Sequence, residues 1–135
     1  MTRMSDADRR DAAESVPIAP PKRILVVDDD QDSAETLAEL LTCQGHDARF
    51  ALDGARALAL AKEFLPDVVL LDIEMVGMSG NEVARLLRLE PSLAGVLLVA
   101  VTGWSGLEQE TKAREAGFDH YLVKPVDEDV LSRVL

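Results

Sequence analysis

Three consecutive aspartates, Asp28, Asp29 and Asp30, a fourth that closes the apolar run Val68 to Leu71 as Asp72, and then Thr102 and Lys124, are the residues whose types could do ionic chemistry. Val68, Val69, Leu70 and Leu71 show no polar alternation, which suits a strand covered on both faces. Asp72 then falls at its carboxyl end. In open α/β sheets ligands gather at that edge, although aspartate also ends strands simply as a turn residue. Two carboxylates about 4 Å apart repel by about 4 kcal/mol at an effective dielectric near 20, so a cluster of them calls for a cation. Oxygen-only ligands on short side chains suit Mg²⁺ (or Mn²⁺). The competing reading is a solvated turn at Asp28–Asp30 whose side chains cap a helix.

Whether these residues meet depends on the elements that carry them. "RILVV" reads as a short buried strand, followed by a helix over "DSAETLAELLTCQG" with Ala34, Leu37, Ala38 and Leu41 on one face. Asp32 and Glu35 have capping-box spacing, and Gly45 is a stop. "DARFA" is a second strand, and a helix from Asp53 to Phe64 ends before Pro66. "DVVLL" is the third strand. Ser79 and Glu82 cap a helix carrying Val83, Leu86 and Leu87; "GVLLVAV" is the fourth strand; Ser105 and Glu108 cap the next helix, which Gly117 stops. "HYLV" and a last helix in "DEDVLSRVL" complete the chain. Five β-α units predict a doubly wound α/β fold, a parallel sheet with helices on both faces. Asp28 to Asp30, Asp72, Thr102 and Lys124 then share one rim.

Composition narrows the function. A chain of 135 residues forms one domain without a staple. A single Cys43 excludes an internal disulfide and a cysteine zinc cluster, and reads as a small buried residue near a helix end. A net charge of −11 repels nucleic acid and anionic membranes and suits a cation or a basic partner. No run approaches the roughly 20 apolar residues of a membrane helix, and no signal peptide is evident, so the cytoplasm is the expected compartment. Residues 1–22, with three prolines, read as a connector with a short helical stretch at Asp6 to Glu14; the folded domain is expected over 23–135.

"ILVVDDD", "LLDIEMVGMSG", "AVTG" and "HYLVKPV", in this order and at these separations, resemble the receiver domain of two-component response regulators. Stand-alone receivers and the C-terminal receivers of hybrid histidine kinases are both similar. The resemblance implies a flavodoxin-like five-stranded sheet in the order 2-1-3-4-5. It implies a regulatory phosphoacceptor rather than an enzyme, one that catalyses only its own phosphorylation and dephosphorylation. Asp72 would take the phosphoryl group from a histidine kinase or a His-phosphotransfer protein, forming an aspartyl phosphate. Mg²⁺ would be held by Asp29, Asp72 and the backbone carbonyl of Glu74, with Asp28 acting largely through water. Lys124 would pair with a phosphoryl oxygen, placed by Pro125 through a cis bond. Thr102 would hydrogen-bond the phosphate and Tyr121 follow it inward, changing the face made by the fourth helix and fifth strand, where a downstream protein or a second phosphorylated copy would dock. Glu74 and Trp104 correspond to positions flanking the path of the attacking water in dephosphorylation, with Trp104 shielding the acyl phosphate.

Each role has a plainer rival: Thr102 as a cap, Tyr121 as an aromatic across a sheet edge, Lys124 before Pro125 as surface punctuation, Trp104 packing on a loop. His46 and His120 lack a partner histidine and read as surface or strand-edge residues. The sequence also departs from the receiver pattern. Val76 stands where receivers commonly carry proline and Ser79 where they often carry aspartate, which predicts a less rigid loop and a weaker hold on the metal. Two other functions stay open: a haloacid-dehalogenase-like phosphatase, which wants a second aspartate where Glu74 stands, and a receiver-like interaction module that is never phosphorylated. With no output domain expected after Leu135, output through protein contacts is the expectation.

Overall fold

The computed structural model describes residues 20–135. In chain order the elements are β1 (Arg23–Val27), α1 (Gln31–Cys43), β2 (Asp47–Ala51), α2 (Gly54–Phe64), β3 (Val68–Leu71), α3 (Gly80–Leu89), a 3₁₀ turn (Pro91–Leu93), β4 (Leu97–Thr102), α4 (Leu107–Ala116), β5 (His120–Val123) and α5 (Glu128–Val134). All strand pairs are parallel, in the order β2-β1-β3-β4-β5. The fold is the doubly wound, flavodoxin-like sandwich expected. The helical stretch expected at Asp6 to Glu14 lies outside the described residues. Among the described residues no helix is long and apolar enough to cross a membrane.

The unbroken apolar strands make sense once both faces are covered. Leu25, Val27, Val69, Leu71, Leu98 and Ala100 point to α2, α3 and α4; Ile24, Val26, Val68, Leu70, Val99 and Val101 point to α1 and α5. Alternate side chains thus feed two separate cores, and no position on β1 or β3 after Arg23 is left for a polar residue.

Several local expectations are corrected. α1 begins two residues earlier than the Asp32/Glu35 capping box: its N-cap is Asp30, whose Oδ1 accepts from the Asp32 N–H at 3.2 Å and whose Oδ2 accepts from the Ser33 hydroxyl at 2.9 Å. α4 has its N-cap at Gly106, one residue past Ser105, at a φ of +144° that favours glycine, and no side chain caps it. The Ser79/Glu82 capping box is present in full. Leu86 is exposed because the buried stripe of α3 runs through Val83, Ala84 and Leu87. Cys43 is exposed, lying off the Ala34, Ala38, Leu41 stripe. His46 is buried rather than at the surface, its Nδ1 accepting the Lys22 N–H at 3.1 Å, whereas His120 is exposed.

Candidate functional site

The parallel ladder places the rim residues. The Asp28 N–H donates to Ala51 O, the Asp72 N–H to Val27 O and the Lys124 N–H to Thr102 O, so each backbone leaves its strand already pinned to a neighbour. A repeated local turn then aims three of the side chains. Asp28 Oδ1 accepts the Asp30 N–H at 3.0 Å, Asp72 Oδ1 the Glu74 N–H at 3.1 Å, and Thr102 Oγ1 the Trp104 N–H at 3.3 Å. Each side chain folds back on the amide two residues ahead, the geometry short oxygen-bearing residues adopt at turns.

The second oxygens converge. Lys124 Nζ lies 2.9 Å from Asp28 Oδ2 and 3.5 Å from Asp72 Oδ2, across a Lys124–Pro125 bond that is cis. Asp28 and Asp72 are each only 6% exposed, and Thr102 is fully buried. Burial pushes the Asp72 carboxyl up to about 6; Lys124 and the Glu74 N–H pull it down, and the Asp28 charge adds to the rise. Burial lowers the Lys124 ammonium, but Asp28 and Asp72 outweigh it and hold its pKa above the usual value. Asp72 is therefore a carboxylate short of solvent, on the wall of an apolar cleft of about 670 Å³ that Leu70, Val101 and Val126 also line.

Asp28, Asp29 and Asp72 each offer a carboxylate oxygen within 4.8 Å of the others. Three carboxylates facing one ammonium leave negative charge in excess, and the donor set is all hard oxygen, so the cluster fits a divalent cation of the Mg²⁺ kind. Of the remaining candidates, Glu74 turns its carboxylate toward the Thr102 hydroxyl, which donates to Oε1 at 3.5 Å. Trp104 is 56% exposed, on the loop after β4. The half-buried Tyr121 donates its hydroxyl to the Trp104 carbonyl at 2.6 Å.

Two contributions escape a reading of residue types. A Cβ on Gly80 would stand 2.4 Å from the Asp72 carbonyl oxygen and 2.6 Å from Ile73 Cα, so only glycine lets α3 start against the backbone of Asp72. The small residue after the Ser79 cap was the available signal. The other is a main-chain donor: the Val76 N–H reaches Asp29 Oδ2 at 3.2 Å. No side-chain pattern reports it.

The model of the response regulator receiver domain matches residues 24–135. The chain belongs to this family. It carries a receiver domain, the phosphoacceptor module of two-component signalling. Response regulator PleD of Caulobacter vibrioides is 38% identical over 109 residues, 81% of this chain and 24% of PleD, so the chain spans about a quarter of that relative's length. The receiver superposes on chemotaxis protein CheY4 of Vibrio cholerae with a TM-score of 0.81 at 27% identity, over 86% of this chain and 100% of the other. A response regulator protein from Burkholderia pseudomallei, determined with a phosphorylated aspartic acid, a calcium ion and citrate, matches with a TM-score of 0.77 at 28% identity, over 84% of this chain and 66% of its own. Nothing in the site favours a phosphatase: the place of its second aspartate is held by Glu74.

Proposed function

We propose that this receiver accepts a phosphoryl group on Asp72 from the phosphohistidine of a histidine kinase or phosphotransfer protein, and that the modification switches a protein-binding face. The observation that carries the reading is Asp72 itself: buried, held at Oδ1 by the Glu74 N–H, and facing Lys124 with Oδ2. An oxygen of the Asp72 carboxylate attacks phosphorus; the O–P bond forms as the P–N bond to the donor imidazole breaks, and the imidazole leaves with the bonding pair and takes up a proton. The Glu74 N–H fixes the carboxylate rotamer, and Lys124 stays as a mobile point charge beside the oxygens of the new acyl phosphate. Asp28, Asp29, Asp72 and the Glu74 carbonyl would hold Mg²⁺, which when bound neutralises charge on the phosphoryl oxygens.

The same geometry supplies a switch. The Thr102 hydroxyl is committed to Glu74 at 3.5 Å, at the limit of a hydrogen bond, and a phosphoryl group on Asp72 offers it a stronger acceptor. Turning Thr102 moves the loop whose Trp104 carbonyl holds the Tyr121 hydroxyl, so the change reaches the α4–β5 face. Trp104 and Glu74, flanking the same mouth, set how readily water reaches the acyl phosphate. A partner protein, or a second phosphorylated copy, reads the altered face.

Intact mass after incubation with acetyl phosphate and Mg²⁺ tests the reading. One phosphoryl group on the wild type and none on Asp72→Asn is the expected result. An adduct that persists in the variant, or that forms on neither protein even with a histidine-phosphorylated donor, overturns it.

A further inference from the structure

The loop between β3 and α3 makes one contact that the phosphoacceptor chemistry above does not require. Val76 is 90% exposed, so its side chain has nothing to pack against. Its backbone does have a partner: the N–H donates to Asp29 Oδ2 at 3.2 Å, 47 residues away in sequence. The loop is built to present that amide. At its base, Met75 N–H and Gly80 N–H both donate to the Ile73 carbonyl, at 3.1 and 2.9 Å. Immediately after Val76 the chain turns at Gly77, whose φ of +85° few other residues adopt.

Asp29 differs from its neighbours in how its charge is met. Asp28 and Asp72 share the Lys124 ammonium. Asp29 is exposed, and among the described residues the Val76 N–H is the donor that reaches it. A small divalent cation held by all three carboxylates takes an oxygen of Asp29, and its near-octahedral geometry leaves that carboxylate little freedom to keep the amide on its other oxygen as well. The amide hydrogen and the cation are both positive, and both approach the same carboxylate.

Resting on the cation site read above, we propose that the Val76 amide is a latch on Asp29 which a divalent cation must displace, so that cation binding frees the β3–α3 loop. Position 76 then tunes cation affinity through its main chain alone. A proline there has no N–H, leaves Asp29 unlatched and spares the cation that competition.

Mn²⁺ binding, followed by the electron paramagnetic resonance of the free ion, should separate three proteins. Wild type and Val76→Ala, which both keep the amide, should share one dissociation constant. Val76→Pro should bind about two- to tenfold more tightly, the equivalent of one net hydrogen bond. In the wild type, exchange of the Val76 amide hydrogen should quicken when Mg²⁺ is added, a readout that needs no variant and stands even where the proline chain does not fold. Equal or weaker binding by Val76→Pro, or a Val76 amide whose exchange ignores Mg²⁺, overturns the latch while leaving the cation site in place. A wild type that takes up no Mn²⁺ overturns the cation site itself, and the latch with it.

Discussion

At the amino-terminal rim of the sheet, Asp67 accepts the Arg23 N–H at 2.8 Å, and Asp119 accepts both the Leu98 N–H at 2.9 Å and Arg88 at 2.8 Å. At the carboxyl-terminal rim, Asp28, Asp29 and Asp72 face one another around Lys124. The residue types are alike and the outcomes opposite. Arg88 spends its remaining donors on the carbonyls of Ala94, Val96 and Gly117, tying α3 to the ends of the 3₁₀ turn and of α4. Gly117 makes room for it, since at φ +115° a Cβ there would stand 2.9 Å from Arg88 Cγ. The lower rim is a clamp in which the polar groups have partners. The upper rim leaves charge unmatched, an excess that suits the cation and the phosphoryl chemistry proposed for it. The proposed function sits where the electrostatics are least settled.

The comparison breaks most visibly at Arg88. Arg88→Met should cost about 2–4 kcal/mol, because it strands the part-buried Val96 and Gly117 carbonyls and unties Asp119, while phosphoryl uptake per folded molecule stays unchanged. Urea unfolding measures the first and intact mass the second; a loss under about 1 kcal/mol would remove the clamp from the account.

Asp72→Asn should move stability the other way. Burial pushes the carboxyl up to about 6, above the usual aspartate range, so at neutral pH its ionised form costs the native state. Replacing it with an amide should add about 1–3 kcal/mol in cation-free buffer at pH 7, by the same urea measurement. A destabilised variant would mean that Lys124 already compensates Asp72 in full.

The smallest effect is expected at the lower rim. Burial, aided by the Lys22 charge, holds the His46 imidazole below its usual 6.5, so the unfolded chain binds the proton more readily than the native one. Stability should therefore be complete above the unfolded value and decline as pH falls below it. His46→Asn keeps an acceptor for the Lys22 N–H but has nothing to protonate. It should flatten that part of the pH profile, and an unaltered slope would assign the decline to other groups.

Much of this was readable in advance. A buried parallel strand cannot alternate, so Val68 to Leu71 announced themselves, and their abrupt end on Asp72 marked the rim. Capping signals were less faithful. Ser79 with Glu82 formed its box, but Asp30 displaced Asp32 because the turn after β1 brings its carboxylate to the first free N–H groups of α1. Leu86 and Cys43 were misplaced for a related reason: a helix stripe drifts, and which residues lie beneath it depends on the neighbouring element.

The alternation of elements and the residue that ends each strand are written in the chain, because burial on both faces and the demands of turns act locally and leave a mark in residue type. What those residues meet is settled by folding. Lys124 between Asp28 and Asp72, Gly80 against the Asp72 backbone, Arg88 beneath Gly117 and the Val76 amide on Asp29 join segments far apart in the chain. Such contacts depend on which segments the sheet and its loops bring together, and the residue type at one end does not name its partner at the other.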